Sequence, residues 1–317
     1  MIRIDGVSHR LDAISTNAAL FMSRELESIE AEIYRFKERE LKYRRLFPVS
    51  NRDSPGAETI TYRMYGRVGM AKIITDYSQD LPRADVYGQS VTQPVRSLGV
   101  SVGWSQQEIR AAVMAGVPLE TEKAAAQRRA IREKEHRLAF YGDSPTGIVG
   151  FLENPNIPTM TAPNGEAGTS DWASKTAAEI MADIRLMTSM VRKQSKGVHN
   201  PDTMLLPSDQ YEIIAATPRS DLSDKTILDH LLDNPRAFGL TTVEPLYSEL
   251  ENAFTSGTED GAVVYEKSKE NIELRIPMEL TLYPMQEKGL ELIVPGESRI
   301  GGIVVRYPLA FLFFTGI

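Results

Sequence analysis

The sequence predicts an α+β chain, and three observations carry that reading. Two long stretches, about 18–46 and 119–141, repeat apolar residues at helical spacing. An extended, alternating region over 58–104 separates them. Beyond residue 143 strands and helices alternate, and the chain then closes on short apolar runs divided by turn residues.

Residues 1–17 are polar and unpatterned and read as an arm. In the first helical stretch Leu26, Ile29, Ile33, Phe36 and Tyr43 form one stripe. Charged residues fill the other faces, and Pro48 ends the pattern. A solvated face explains those charges, with a surface against a neighbouring subunit as the alternative.

In the extended region Ile60, Tyr62 and Met64 alternate with Thr61, Arg63 and Tyr65. On its far side Leu98, Val100, Val102 and Trp104 alternate with Gly99, Ser101 and Gly103. The weakly patterned run 67–90 joins the two. So long a connection is uncommon in a compact domain. The expectation is a two-stranded arm over 58–104 that leaves the body. A lone hairpin is marginal in water, so a second copy of the chain is its simplest support. Arg63, Arg67, Lys72, Asp76, Asp80, Arg83 and Asp85 are the candidate inter-subunit contacts. Asp76, Asp80 and Asp85 also suggest a cation site, but solvated loop charges explain them better.

The helix at 119–141 follows Pro118 and stops before Gly142. Ala124, Ile131 and Leu138 recur along one side, and Arg128, Arg129, Arg132, Glu133, Lys134 and Glu135 charge the rest, as in a half-buried spine. The Gly- and Pro-rich stretch that follows marks a boundary, and Gly147 and Gly150 read as a hinge rather than a ligand loop. From Trp172, the residues Ala173, Ala177, Ile180, Ile184, Met187 and Val191 predict a helix. A strand at 203–206, a turn at Pro207, a helix capped by Ser208, a short helix within 223–235 and a strand within 240–250 follow. Strands are expected at 263–265, 272–276, 280–283, 290–294, 303–307 and 310–314.

With 317 residues and 42% hydrophobic content, the chain can build one sizeable core or two modest ones. No apolar run is long enough for a membrane span and the start lacks a secretory apolar core. The expected site of assembly is the cytoplasm of the producing cell, with no membrane partner. The absence of cysteine excludes disulfides, thiolate catalysis and cysteine metal sites. A net charge of −7 argues against a free-standing nucleic-acid binder. The four histidines, His9, His136, His199 and His230, have no metal-ligand spacing. Neither phosphate-cradling glycine motif nor a nucleophile elbow occurs. No catalytic activity, cofactor or metal is expected.

Segment order and local texture carry a resemblance. Residues 55–86 and 90–135 resemble the hairpin loop and spine of tailed-bacteriophage major capsid proteins, the Hong Kong 97-type fold. FYGDSPTGIVGFLENPNI is similar to that family's link from spine to lobe, PDTMLLPSDQYEIIA to the lobe's strand-Pro-helix unit, and RIGGIVVRYPLAFLFFTGI to its closing strands. The resemblance spans nearly the whole chain. It implies an N-terminal arm and helix (1–57), an extended β-hairpin loop (58–104), a spine helix of the peripheral domain (105–142), an axial domain (143–262) and returning strands (263–317). It also implies self-assembly into hexamers and pentamers of an icosahedral shell around DNA, contacted non-specifically. Separate scaffolding, portal and decoration proteins are further implied partners, and the virion, assembled in a bacterial host's cytoplasm, is the implied location. An encapsulin-like compartment with enzyme cargo is the alternative, and an α+β enzyme with an unrecognised site the third reading. Some members cross-link a loop lysine to an asparagine; Lys72 with Asn271 or Asn252 would be the candidates, and no motif supports the bond.

Overall fold

The closing strands are apolar on both faces, and two separate cores form around them. The computed structural model describes residues 37–73, 81–115, 119–220, 224–254, 257 and 259–317. In chain order these hold α1 (Tyr43–Leu46), β1 (Val49–Ser50), β2 (Thr59–Val68), β3 (Asp85–Pro94), β4 (Arg96–Ser105), α2 (Gln106–Ala115), α3 (Leu119–Phe140), β5 (Gly142–Asp143), β6 (Ile148–Val149) and β7 (Thr159–Thr161). Next come α4 (Ala177–Gln194), β8 (Thr203–Pro207), α5 (Ser208–Ala216), α6 (Ile227–Asp233), α7 (Pro235–Phe238), β9 (Thr242–Leu246) and β10 (Gly261–Tyr265). The chain ends with β11 (Ile272–Arg275), β12 (Met278–Leu282), β13 (Gln286–Lys288), β14 (Glu291–Ile300), β15 (Gly302–Val305) and β16 (Phe311–Thr315).

A mixed five-stranded sheet in the order β7-β16-β10-β8-β9 is the centre. Successive strand side chains point to opposite faces. Leu205, Val263, Tyr265, Phe311 and Phe313 therefore enter one core, with Tyr43, Phe47, Phe140 and Phe151. Met204, Leu206, Val264, Leu312 and Phe314 enter the other, with Trp172, Ile180, Ile184, Met187, Val191, Ile214, Leu231 and Phe238. The second core is the lobe built by α4 to α7. In it α4 begins at Thr176, whose side chain and that of Glu179 form a reciprocal capping box.

A second sheet runs the length of the spine helix α3. β14 pairs with β4 over ten residues, Glu291↔Ser105 to Ile300↔Arg96, and takes β12 and β13 on its other edge. Gln127 of α3 donates to the carbonyls of Val100 and Val294 at 3.0 and 3.2 Å, tying helix to sheet. A small sheet β1-β11-β15 closes the first core.

Four expectations change. The helix placed at 18–46 lies largely outside the described residues. Of its described part, 37–42 form no helix and only the single turn of α1 is helical. Tyr43, counted on the helical stripe, is instead buried against the spine, 5.7 Å edge-on from His136. The strand at 98–104 does not pair with 60–64. β2 pairs with β3, and β4 with β14. Buried Val95 separates the two registers and turns the chain from the arm into the body. The third helix starts at Ala177, because Trp172–Ser174 is a 3-10 turn, and Ser208 lies inside α5 after Pro207 rather than capping it.

Candidate assembly interface

The arm is an antiparallel ladder of ten residue pairs, from Thr59↔Pro94 to Val68↔Asp85. At about 3.4 Å per residue it reaches about 34 Å. Ile60 and Val95 at its base are buried, and the side-chain ends of Gln93 and Tyr62 donate to the carbonyls of Ile303 (3.0 Å) and Val305 (3.5 Å) on β15. Farther out the ladder supports itself. Tyr87 lies over Gly66 on one face, where a Cβ would come within 2.1 Å of the ring. Tyr65 lies over Gly88 on the other face, so each glycine is covered by an aromatic ring of the opposite strand. Thr61 and Thr92 share a 2.8 Å hydrogen bond.

Outer apolar side chains face solvent: Tyr65, Val68, Met70, Ile73 at 96% exposure, Leu81, Val86 and Tyr87. So many exposed large apolar side chains on one projecting element are unusual for a monomer, and exposed apolar surface of this kind marks association sites.

A charge cluster around the buried Glu273 and Arg275 lies beside the arm's root. Arg52 donates to both oxygens of Glu273, at 2.8 and 2.5 Å, and Arg306 donates to one of them. Arg275 lies 3.3 Å from the same carboxylate and reaches Asp53 at 3.1 Å. Burial alone would raise the Glu273 carboxyl, but the hydrogen bonds from Arg306 and Arg52 and the charge of Arg275 hold it below the usual carboxylate range. The Arg306 guanidinium also sits 6.0 Å from the centre of the Tyr62 ring on the arm.

The spine is fixed by a second buried carboxylate. Glu135 accepts from the Tyr43 hydroxyl (2.5 Å), Arg44 Nη2 (2.8 Å) and the Ser298 hydroxyl (3.1 Å). Arg44 bridges onward to Glu279 on β12. Next to Glu135, His136 Nε2 lies 2.8 Å from Glu249, joining the spine to the segment after β9.

Of the sequence-predicted contacts, Arg63 and Arg67 lie on one exposed face of β2, while Lys72, Arg83 and Asp85 are exposed toward the tip. The Asp85 carboxylate accepts from the Val86 N–H at 2.7 Å. Asp76 and Asp80 lie outside the described residues. Sequence reading missed a second projection. Residues 281–291 are all exposed, with Leu282, Tyr283, Met285 and Leu290 outward, and α2 beside them exposes Val113 and Met114. The only signal was a run of apolar residues indistinguishable from a buried strand. Asn271 is buried and donates to Glu266 at 2.8 Å.

Among the described residues no group of three histidine, aspartate or glutamate side chains converges as for a metal ion, and no helix is long and apolar enough to cross a membrane.

No curated protein matches the sequence at a significant level. Among solved structures, the capsid of Myoviridae phage XM1 superposes with a TM-score of 0.78 at 18% identity, covering 93% of this chain and 98% of that one. The capsid of a native GTA particle gives 0.63 at 12%, covering 98% and 99%. Mycobacterium phage Ogopogo gives 0.61 at 13%, covering 93% and 98%. The fold is thus the Hong Kong 97-type capsid fold expected from segment order. The model of one family, described as major capsid protein, matches residues 69–317, and the chain belongs to that family of phage-head structural proteins.

Proposed function

We propose that copies of this chain close into an icosahedral shell around DNA, and that each arm, residues 59–94, lies on the body of the adjacent copy. One observation carries the reading: a ten-pair hairpin is, among the described residues, tied to the body at its root and exposes apolar side chains along its outer half. A second copy supplies the surface that would bury them. Contact between different patches of identical copies is heterologous and closes into rings, which suits hexamers and pentamers. Arg63, Arg67, Lys72, Asp76, Asp80, Arg83 and Asp85 are the residues assigned to that contact. In the resulting division 58–104 contains the extended loop, 105–142 the spine, 143–262 the axial domain and 263–317 the returning strands.

The shell is the virion head, assembled in a bacterial cytoplasm, with separate scaffold, portal and decoration proteins as partners and no catalytic role. A compartment packaging a protein cargo would share this geometry; family membership and the phage-capsid neighbours favour DNA. Size-exclusion chromatography and negative-stain microscopy of the purified chain, alone and with any co-expressed scaffold, test the reading. Closed particles tens of nanometres across support it. A monomer under both conditions refutes it.

A further inference from the structure

Charge is segregated along this chain. Residues 143–262 hold 18 acidic against 8 basic residues, although the whole chain has a net charge of only −7. The last half of the spine helix carries a local excess of cations. Between 128 and 137 five basic residues stand against two acidic ones, Glu133 and Glu135. Glu135 is buried and engaged by Tyr43, Arg44 and Ser298. Glu133 is engaged by Arg129 at 2.6 Å. Arg128, Arg132, Lys134 and Arg137 make no side-chain hydrogen bond or ion pair among the described residues and are exposed.

Two of these cations open onto a cleft of about 350 Å³. Arg128 and Arg132 line it one helical turn apart, about 6 Å along the axis, together with Arg44, Glu135 and Glu279 and with Ile131, Leu280 and Leu282 as aliphatic wall. Arg44 spends its donors on Tyr43 and on Glu135 and Glu279, the two carboxylates that also line the cleft, so its charge is offset there, while Arg128 and Arg132 bring unused guanidinium forks. A low-dielectric wall beside unpaired cations strengthens their attraction for an anion, and guanidinium forks match phosphate oxygens in pairs. A protein partner would need an apolar anchor. On the described helix between Thr121 and Phe140 no large apolar side chain is strongly exposed, and of the cleft's apolar lining only Leu282 is.

We propose that this flank of the spine, Arg128 and Arg132 at the cleft with Lys134 and Arg137 beyond it, seats the phosphodiester backbone of the packaged nucleic acid. The proposal rests on the shell reading, and it turns this flank of the spine toward the shell interior.

The test is binding of a labelled 30-base-pair duplex DNA to the purified chain across a salt series. The double variant Arg128→Gln/Arg132→Gln is compared with Arg236→Gln, an exposed cation of the lobe. The expected result is a slope of log affinity against log salt that is shallower by about 2 in the double variant and unchanged in R236Q. Equal slopes for wild type and double variant, or an equal loss in R236Q, overturn the proposal. Stronger competition by polyglutamate than by unlabelled DNA at equal charge also overturns it. Arginine-selective labelling of wild-type particles gives a second measurement: Arg128 and Arg132 are protected in DNA-filled relative to emptied shells, and equal labelling refutes the seat. Shell formation is scored separately by microscopy, so loss of the DNA effect in intact shells removes this proposal alone, whereas absence of shells removes the reading beneath it.

Discussion

Replacing Glu135 with alanine should be among the most damaging single changes to the spine. The side chain is fully buried and accepts three hydrogen bonds, from Tyr43, Arg44 and Ser298. Its removal strips a buried tyrosine hydroxyl of its acceptor and leaves Arg44 with Glu279 and the Tyr43 hydroxyl. Arg44 is a third exposed, so solvent recovers part of its loss, and the Ser298 hydroxyl keeps the Met278 carbonyl at 3.1 Å. Truncating one member of a buried charged network costs about 3–5 kcal/mol, and the retained partners place E135A at about 3 kcal/mol. At about 2–4 °C per kcal/mol for a chain of this order of size, Tm should fall by about 6–12 °C. Glu135→Gln keeps the volume and loses the charge, and should cost less. Thermal unfolding of the unassembled chain followed by circular dichroism reads both. A local readout accompanies them. Burial, then the Glu135 charge, pushes the Tyr43 hydroxyl well above its ordinary range, so E135A should let Tyr43 ionise at lower pH in an ultraviolet titration. A stability within about 1 kcal/mol of wild type in E135A would refute the reasoning.

Two further outcomes follow from the same geometry. Glu273 has a depressed carboxyl, so the stability it contributes is present above its unfolded value near 4.5 and is lost as pH falls through the folded value; Glu273→Gln should flatten the acid limb of urea-midpoint against pH, and an unchanged limb counts against the cluster. Gly142 has φ +66°, and a Cβ there would lie 2.4 Å from Gly150 N and Ile148 O, whereas Gly168 has φ +81° and open space. Gly142→Ala should therefore cost clearly more than Gly168→Ala, for which backbone strain alone gives about 1 kcal/mol; equal urea midpoints would contradict this.

Legibility followed periodicity. α4 was readable because Ile180, Ile184, Met187 and Val191 repeat at helical spacing and all face one core. The closing strands were readable as apolar runs, although nothing local reveals that Phe311 and Leu312 serve different cores. The arm was recognisable as a long polar insertion, but its pairing was not. Alternation at 98–104 is equally compatible with 60–64 and with 291–300, and the choice is made by Val95 and the longer ladder to β14. The buried carboxylates Glu135 and Glu273 look in sequence like any surface acid. Arg44 and Arg52, which engage them, lie 91 and 221 residues away, so only the folded chain brings these pairs together.

The account turns on the arm as the link between copies. Replacing residues 67–86 with Asn-Gly closes the hairpin at the Gly66↔Tyr87 pair through a tight turn. The described residues removed are all exposed, so the body should unfold within about 1 kcal/mol of wild type. Electron microscopy of this variant, under conditions where the intact chain forms shells, should find no closed particles. Shells of normal size and yield would contradict the role of the arm.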